Sequence, residues 1–303
     1  MKRRTALAEH CTRPRTRTTT SRIARGVRTA AFNASGVGVA TLRKMQIAQL
    51  FSVSGKVAIV TGGSRGIGEM IAEGLVTNGA RVYITARKGA ACDATAARLS
   101  EIGECISIPA DMSDEADRNR FVAAVAERES GIDILVNNAG AAWGAPLGEF
   151  PGSGVDKVLD INVKAPFMLT QALLPLLTTR ATAEDPSRVI MIGSIDGIRV
   201  PIGDNYSYSA SKAAIHMLAR HLAHHLVKQH ITINSIAPGP FESKMMAYML
   251  EDPSRRSMVE RSVPRGRIGS PEDVAGTVIY LASRAGAYLT GVVIPVDGGI
   301  STQ

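Results

Sequence analysis

Residues 56–68, KVAIVTGGSRGIG, join an apolar run to a glycine-rich turn, and this stretch decides the fold. The run at 56–61 predicts a buried parallel strand, because a strand covered by helices on both faces is apolar at successive positions. Glycines at 62, 66 and 68 follow at once, and a helical pattern continues to about Asn78-Gly79. Glycines in such a turn let backbone N–H groups approach a pyrophosphate at the helix N-terminus. The stretch therefore predicts a dinucleotide-binding unit.

The same alternation of strand and helix continues along the chain. Further strands are predicted at 81–85, 106–109, 132–136, 188–193, 232–236 and 292–296, and helices at 92–102, 114–128, 155–177, 206–229 and 271–283. This order is typical of one α/β domain with a doubly wound parallel sheet, the Rossmann fold. The one long insertion, 239–269, is rich in methionine, and we expect it to form an adaptable lid over a hydrophobic substrate. Its methionines are Met245, Met246, Met249 and Met258.

The basic charge of the chain is concentrated in residues 1–44. This segment holds 11 of the 35 Lys and Arg residues and one of the 27 acidic residues, so residues 45–303 carry 24 basic and 26 acidic residues. A slightly acidic domain without a basic stripe predicts that the protein has no nucleic-acid partner. No run of about 18 apolar residues occurs, so no membrane insertion is expected.

Residues 1–44 are expected to be a basic, disordered extension of the domain at 45–303, because they lack apolar periodicity. Two alternatives stay open: a transit segment, or an over-extended reading frame whose true start is Met45. Cys11, Cys92 and Cys105 are odd in number and far apart, which favours a reducing compartment. We therefore expect a cytoplasmic protein, or one of an organelle matrix if the segment is a transit peptide.

The end of the second predicted strand indicates which dinucleotide binds. NAD-selective sites place an acid there for the ribose 2′-OH, whereas this strand is followed by Ala86-Arg87-Lys88. Arg87, together with Arg65 in the glycine turn, supplies two cations for a 2′-phosphate. The expected cofactor is NADP(H); the alternative is that both arginines are ordinary solvated surface residues.

Tyr208 and Lys212 lie four residues apart on a predicted helix and so share one face. The ammonium is expected to lower the pKa of Tyr208 toward neutral, which would make the phenol a usable acid–base group. Ser194 follows a predicted strand, at the edge of the sheet where ligands bind in open α/β folds. Tyr206 has no lysine partner, since alanine stands four residues after it. The pattern predicts a catalytic centre at Ser194, Tyr208 and Lys212.

Six motifs in order and spacing resemble the short-chain dehydrogenase/reductase family over about residues 53–299. They are TGGSRGIG at 61–68, NNAG at 137–140, Asn162 in INV, Ser194 in IGS, Tyr208 with Lys212, and Pro238-Gly239. The resemblance implies that Tyr208 protonates the developing alkoxide and Ser194 bonds the substrate carbonyl. It also implies that Lys212 binds the nicotinamide ribose, and that Asn162 holds a water linking Lys212 to solvent.

The same resemblance implies a set of cofactor-binding residues. No metal is expected, because the cysteines have no zinc spacing. By that resemblance, Asn138 and Gly140 line the adenosine ribose and Asp111 caps the adenine amine. The full set is Gly62, Ser64, Arg65, Gly66, Ile67, Gly68, Arg87, Asp111, Met112, Asn138, Ala139, Gly140, Tyr208, Lys212, Pro238 and Gly239.

Within the family, three segments look like the β-ketoacyl reductases of the rhamnolipid pathway: 137–151, 183–190 and 285–299. That likeness implies 3-oxoacyl thioester substrates. Reductases that dock an acyl carrier protein tend to carry basic residues at the positions of Met168 and Gln229. Because these two are not basic, either an acyl carrier protein or coenzyme A could hold the acyl chain. A reductase or dehydrogenase of a polyol, steroid or other small ketone is one alternative. A dinucleotide-sensing regulator is another, although it would not need the proton-transfer groups.

The helices predicted at 155–177 and 206–229 are expected to pair between subunits in a homotetramer or homodimer. They carry leucines beyond the side that faces the sheet, namely Leu169, Leu173, Leu218 and Leu222. The second helix also carries histidines, and because no acid or cysteine completes a ligand set we expect an exposed or packing face there. The histidines are His216, His221, His224, His225 and His230.

Overall fold

The computed structural model describes residues 46–244 and 246–302. Seven strands form one parallel sheet in the order β3-β2-β1-β4-β5-β6-β7, which confirms the predicted doubly wound Rossmann fold. The strands are β1 (Val57–Thr61), β2 (Arg81–Thr85), β3 (Cys105–Ser107), β4 (Ile134–Asn137), β5 (Ser187–Ile192), β6 (Ile231–Pro238) and β7 (Val293–Val296). The strand order reverses between β1 and β4, and a crevice opens there at the carboxyl ends of the strands.

Helices cover both faces of this sheet. Over the described residues they are α1 (Ile47–Leu50), α2 (Gly66–Thr77), α3 (Gly89–Ser100), α4 (Glu115–Ala126), α5 (Gly152–Leu159), α6 (Ala165–Arg180), α7 (Tyr206–Leu226), α8 (Ala247–Leu250), α9 (Pro253–Ser262) and α10 (Pro271–Ala282). Side chains of α2, α3 and α10 bury one face of the sheet, and those of α4, α6 and α7 bury the other. None of these described helices is long and apolar enough to cross a membrane.

The helix predicted at 155–177 is not one regular α-helix. A π-helical turn, Asp160–Lys164, separates α5 from α6 and contains the buried Asn162. The side chain of Asn162 accepts a hydrogen bond from the Ala141 N–H and donates one to the Ala141 carbonyl, each 2.9 Å long. A wider turn of this kind lets one side chain point inward out of the regular helical register, and such turns occur often at functional sites.

The insertion predicted as irregular, 239–269, contains α8 and α9. Helix α9 begins after Asp252, whose carboxylate accepts from the Arg255 N–H at 2.9 Å, and Pro253 occupies its first turn. An acidic N-cap followed by proline is a standard helix start, so the sequence held a signal that the prediction overlooked. Met258 is exposed, whereas Met245 lies outside the described residues. The lid role of this insertion therefore stays a prediction. The basic extension at 1–44 also lies outside the described residues.

The leucines expected to form a subunit contact are mostly in the core. Leu169 and Leu173 are buried against the sheet, and Leu218 and Leu222 pack beside the same cluster. The expectation was wrong for Leu169 and Leu173, because α6 turns them toward the sheet, whereas Leu218 and Leu222 are only partly buried. The outward-facing apolar side chains near them are Leu159, Phe167 and Met217, of which Met217 is 60% exposed.

Candidate active site

The turn between β1 and α2 has a backbone conformation that lets an anion approach the start of α2 closely. Gly62 and Gly66 have φ values of +66° and +55°, in the left-handed region that favours glycine. Arg65 caps α2 without a side-chain hydrogen bond to its first turn. The first backbone N–H groups of α2 therefore remain available to a negatively charged ligand.

A hydrogen-bonded clamp holds the carboxyl ends of β1 and β4 together beside this turn. The Thr61 hydroxyl accepts from the backbone N–H groups of Asn138 and Ala139, each at 2.9 Å. In return the Asn138 amide donates to the carbonyls of Thr61, at 2.9 Å, and Gly62, at 3.2 Å. Thr61 belongs to the TGGSRGIG motif, but no role was predicted for it. Its position at the end of β1 was the signal that it could hold this turn. The clamp fixes the crevice at the point where the strand order reverses.

The two arginines predicted to bind a phosphate lie at the rim of the crevice. Arg65 is exposed, and the Arg87 side chain is 63% exposed with one nitrogen 3.9 Å from an Asp111 carboxylate oxygen. An exposed pair at that distance is weak, so Arg87 can exchange it for a phosphate. The other Asp111 oxygen accepts from the Ser113 N–H at 2.9 Å and the Ser113 hydroxyl at 2.6 Å.

The other predicted cofactor residues follow the same edge of the sheet. Met112 is buried, and Ile67 packs partly against the core below α2. The Ser64 carbonyl accepts from the Thr95 hydroxyl at 3.2 Å. Pro238 ends β6, and the N–H of Gly239 donates to the Val296 carbonyl at 3.0 Å. A Cβ at Gly239 would lie 2.8 Å from the Asp297 Cα, so only glycine fits this turn.

Lys212 is buried in the middle of the site. Its ammonium donates to the Ile192 carbonyl at 2.8 Å and lies 5.5 Å from the centre of the Tyr208 ring. Burial lowers the pKa of Lys212 to about 8. A Cβ at Gly140 would lie 3.8 Å from this ammonium and 3.0 Å from the Asn162 Oδ1. The NNAG turn thus brings the cofactor side of the crevice directly beside the predicted catalytic lysine.

Asn162 connects the π-helical turn to α7. Besides its two bonds to Ala141, its amide donates to the Ser211 hydroxyl at 2.9 Å. Ser211 in turn donates to the Tyr208 carbonyl at 2.7 Å. Asn162 therefore holds the first two turns of α7, which carry Tyr208 and Lys212, against the NNAG turn.

Tyr208 lies beside Ser194 and is partly exposed. Burial raises the pKa of Tyr208 to about 12, the charge of Asp196 raises it further, and the hydrogen bond with Ser194 offsets part of the rise. The expected lowering of this pKa toward neutral is not found, because burial of the phenol outweighs the effects that lower it. At neutral pH the phenol is protonated and can act as a proton donor.

His216 is a buried member of the site that the sequence analysis had assigned to a packing face. It lies four residues after Lys212, and its Nε2 accepts from the Ser194 N–H at 3.4 Å. A Cβ at Gly193 would overlap the same ring atom, so this glycine makes room for the imidazole. Burial, together with the charges of Lys212 and Arg220, lowers the pKa of His216 to about 4. The four-residue spacing from Lys212 was the signal for its position.

Tyr206 is excluded from the catalytic group by its surroundings. Its side chain is 43% exposed, and its hydroxyl donates to the Asp204 carboxylate at 2.9 Å. Asn162, Ser194, Tyr208 and Lys212 instead converge at the carboxyl edge of the sheet.

Comparisons with known proteins agree with this geometry. A family profile described as enoyl-(acyl carrier protein) reductase matches residues 62–301. The chain is 52% identical to the rhamnolipids biosynthesis 3-oxoacyl-[acyl-carrier-protein] reductase of Pseudomonas aeruginosa, over 82% of this chain and 97% of the relative. It is 36% identical to the short-chain dehydrogenase/reductase PhomF of Diaporthe leptostromiformis, over 83% and 93%. The solved Pseudomonas aeruginosa RhlG/NADP active-site complex has a TM-score of 0.82 and 51% identity, over 84% and 99%.

Proposed function

This chain belongs to the short-chain dehydrogenase/reductase family, and we propose that it reduces the keto group of 3-oxoacyl thioesters. It is an NADP-dependent oxidoreductase that acts on CH–OH and C=O groups. The thioester assignment is supported by the 52% identity to a relative that is named as a 3-oxoacyl-[acyl-carrier-protein] reductase, over 97% of that relative's length. The partly exposed Tyr208, together with the buried Asn162, Ser194 and Lys212, supports turnover rather than dinucleotide sensing alone.

The residues of the crevice fit a dinucleotide with a 2′-phosphate. The uncapped N-terminus of α2 suits the pyrophosphate, and the exposed side chains of Arg65 and Arg87 suit the phosphate on the ribose. The Lys212 ammonium can donate to ribose hydroxyls while it stays bonded to the Ile192 carbonyl. NADPH, when bound, supplies the hydride for the reduction.

Tyr208 and Ser194 would handle the oxygen of the substrate carbonyl. The raised pKa of Tyr208 keeps the phenol protonated at neutral pH, and an alkoxide is far more basic than a phenolate. Proton transfer from Tyr208 to the developing alkoxide therefore runs downhill. The Ser194 hydroxyl would hold the same oxygen in place. This hydroxyl accepts from the Asp196 N–H, and the Ser194 backbone N–H donates to His216.

Lys212 and Asn162 would assist that proton transfer without contacting the substrate oxygen. The Lys212 ammonium, 5.5 Å from the ring centre, stabilises the phenolate left after transfer. Asn162 fixes the first two turns of α7 so that the two groups keep this separation. A relay in which Lys212 gives a proton to the Tyr208 phenolate, and is itself reprotonated from solvent, completes the proposed cycle. Since it starts from a protonated phenol, the proposed direction at neutral pH is reduction.

A substrate panel followed by NADPH consumption tests the function. The panel holds 3-oxobutanoyl groups on coenzyme A and on an acyl carrier protein, a keto sugar acid and a small diketone. We expect the larger kcat/KM of the two thioesters to exceed that of the other ketones by at least about tenfold, a difference of about 1.4 kcal/mol in transition-state binding. A keto sugar acid or a diketone that equals or exceeds both thioesters would contradict the proposal.

A further inference from the structure

Asp196 places a negative charge beside the two groups that would bind the substrate carbonyl. Its backbone N–H donates to the Ser194 hydroxyl at 3.1 Å, and its charge acts on Tyr208. Its side chain is half-buried. Over residues 46–244 and 246–302, no Lys, Arg or His lies within ion-pair distance of this carboxylate. The ammonium of Lys212 is engaged by the Ile192 carbonyl.

The turn that carries this carboxylate is held rigidly. The N–H of Gly197 donates to the Ser194 carbonyl at 3.0 Å, and a Cβ at Gly197 would lie 2.5 Å from the Lys212 carbonyl carbon. The turn is therefore pressed against α7. The Asn205 amide donates to the Asp196 carboxylate at 3.2 Å and fixes its direction. The charge cannot swing far from the carbonyl-binding groups without breaking these contacts.

We propose that Asp196 is a specificity-determining residue whose carboxylate excludes 3-oxo acids with a free carboxylate and favours neutral 3-oxo esters and thioesters. This inference rests on the reductase function proposed above. A free 3-oxo acid bears its carboxylate two bonds from the carbon of the keto group, so binding that keto group at Ser194 and Tyr208 brings two negative charges together. An ester or thioester bears no charge at that position. Two like charges that both approach the same carbonyl-binding groups at a partly buried site discriminate by about 10- to 100-fold.

The test compares 3-oxobutanoate with ethyl 3-oxobutanoate, which differ in charge at one group. The full chain and its Asp196→Asn variant are assayed with NADPH, and kcat/KM is measured for both substrates. We expect Asp196→Asn to raise the acid-to-ester ratio of kcat/KM at least about tenfold by removing the repulsion. Added salt should raise the ratio in the unmodified protein and leave it unchanged in the variant. The Asp196→Glu variant, which keeps the charge, should retain discrimination.

The matched control is Asp204→Asn, which removes an acid eight residues along the same loop. Asp204 is exposed and bonded to the Tyr206 hydroxyl, outside the catalytic group. Its acid-to-ester ratio should stay within about twofold of the unmodified protein, since an exposed charge is screened. An unchanged ratio in Asp196→Asn, with NADPH binding intact, would overturn the inference. So would an equal rise in Asp204→Asn. A failure of the proposed function is separate, since it would appear as absent thioester reduction in the unmodified protein.

Discussion

His216 makes the stability of this protein depend on pH in a window that can be calculated. Its side chain is 6% exposed, and burial lowers its pKa from 6.5 to about 4. Between these values the unfolded chain binds more protons than the folded chain, so the free energy of unfolding falls as pH falls. The stability is fully present above pH 6.5 and is lost as pH falls toward 4. Linkage gives a loss of about 2 kcal/mol between pH 7 and pH 4.5.

The His216→Gln variant isolates this contribution. Glutamine does not titrate, and its side-chain oxygen can still accept from the Ser194 N–H that His216 now binds. We therefore expect the free energy of unfolding of the variant to fall about 2 kcal/mol less than that of the unmodified protein over the same pH range. His221→Gln is the control, because His221 lies exposed on the same helix.

Urea unfolding at several pH values between 7 and 4.5 measures the effect, with the fluorescence of Trp143, the single tryptophan of the chain, as the signal. Parallel pH dependence in the unmodified protein and in His216→Gln would refute the reasoning. It would mean that the imidazole can be protonated in the folded state without a large penalty.

Three further predictions concern the cofactor, the assembly and the pH profile. Arg87→Asp should lower the ratio of kcat/KM for NADPH to that for NADH by about 10- to 100-fold. The new carboxylate repels the 2′-phosphate of NADPH and accepts a hydrogen bond from the 2′-OH of NADH. An unchanged ratio would place Arg87 outside the cofactor site. The mass of the unmodified protein by light scattering should be that of a homotetramer or homodimer, and Met217→Lys should lower it. A monomeric mass for the unmodified protein would contradict this. Because burial lowers the pKa of Lys212 to about 8, kcat/KM for reduction should fall as pH rises above 8 and the ammonium is lost. In Lys212→Arg that fall should move to higher pH, and a fall at the same pH would exclude Lys212 as its source.

The parallel α/β architecture and the shared face of Tyr208 and Lys212 could be predicted because they depend on local patterns. An apolar run followed by glycines fixes a strand, a turn and a helix start together, and Tyr208 and Lys212 share a face through helical spacing alone. The π-helical turn at Asn162 could not be predicted, since it depends on hydrogen bonds to Ala141, which is 21 residues away. The spacing of His216 from Lys212 indicated a position near the site, but its contact with Ser194, on another element, could not be predicted.

The pKa of Tyr208 shows where residue spacing misleads. The spacing places an ammonium near the phenol, but it does not reveal that the ammonium is bonded to the Ile192 carbonyl or that the phenol is buried. Desolvation then outweighs the attraction and raises the pKa. The exposed apolar surface was misjudged similarly, because a helix with apolar residues on two sides does not tell which side faces the sheet. Leu173 is buried there, and Met217 is exposed.

The most direct test of the account is the reduction of 3-oxobutanoyl-coenzyme A by NADPH in Tyr208→Phe and Tyr206→Phe. Tyr208→Phe removes the proposed acid, so kcat should fall by about 10²- to 10⁴-fold while the Kd for NADPH stays nearly unchanged. Tyr206→Phe removes an exposed hydroxyl bonded to Asp204 and should retain nearly full kcat. If Tyr208→Phe kept more than about a tenth of kcat, or if both variants lost activity equally, Tyr208 would not be the proton donor.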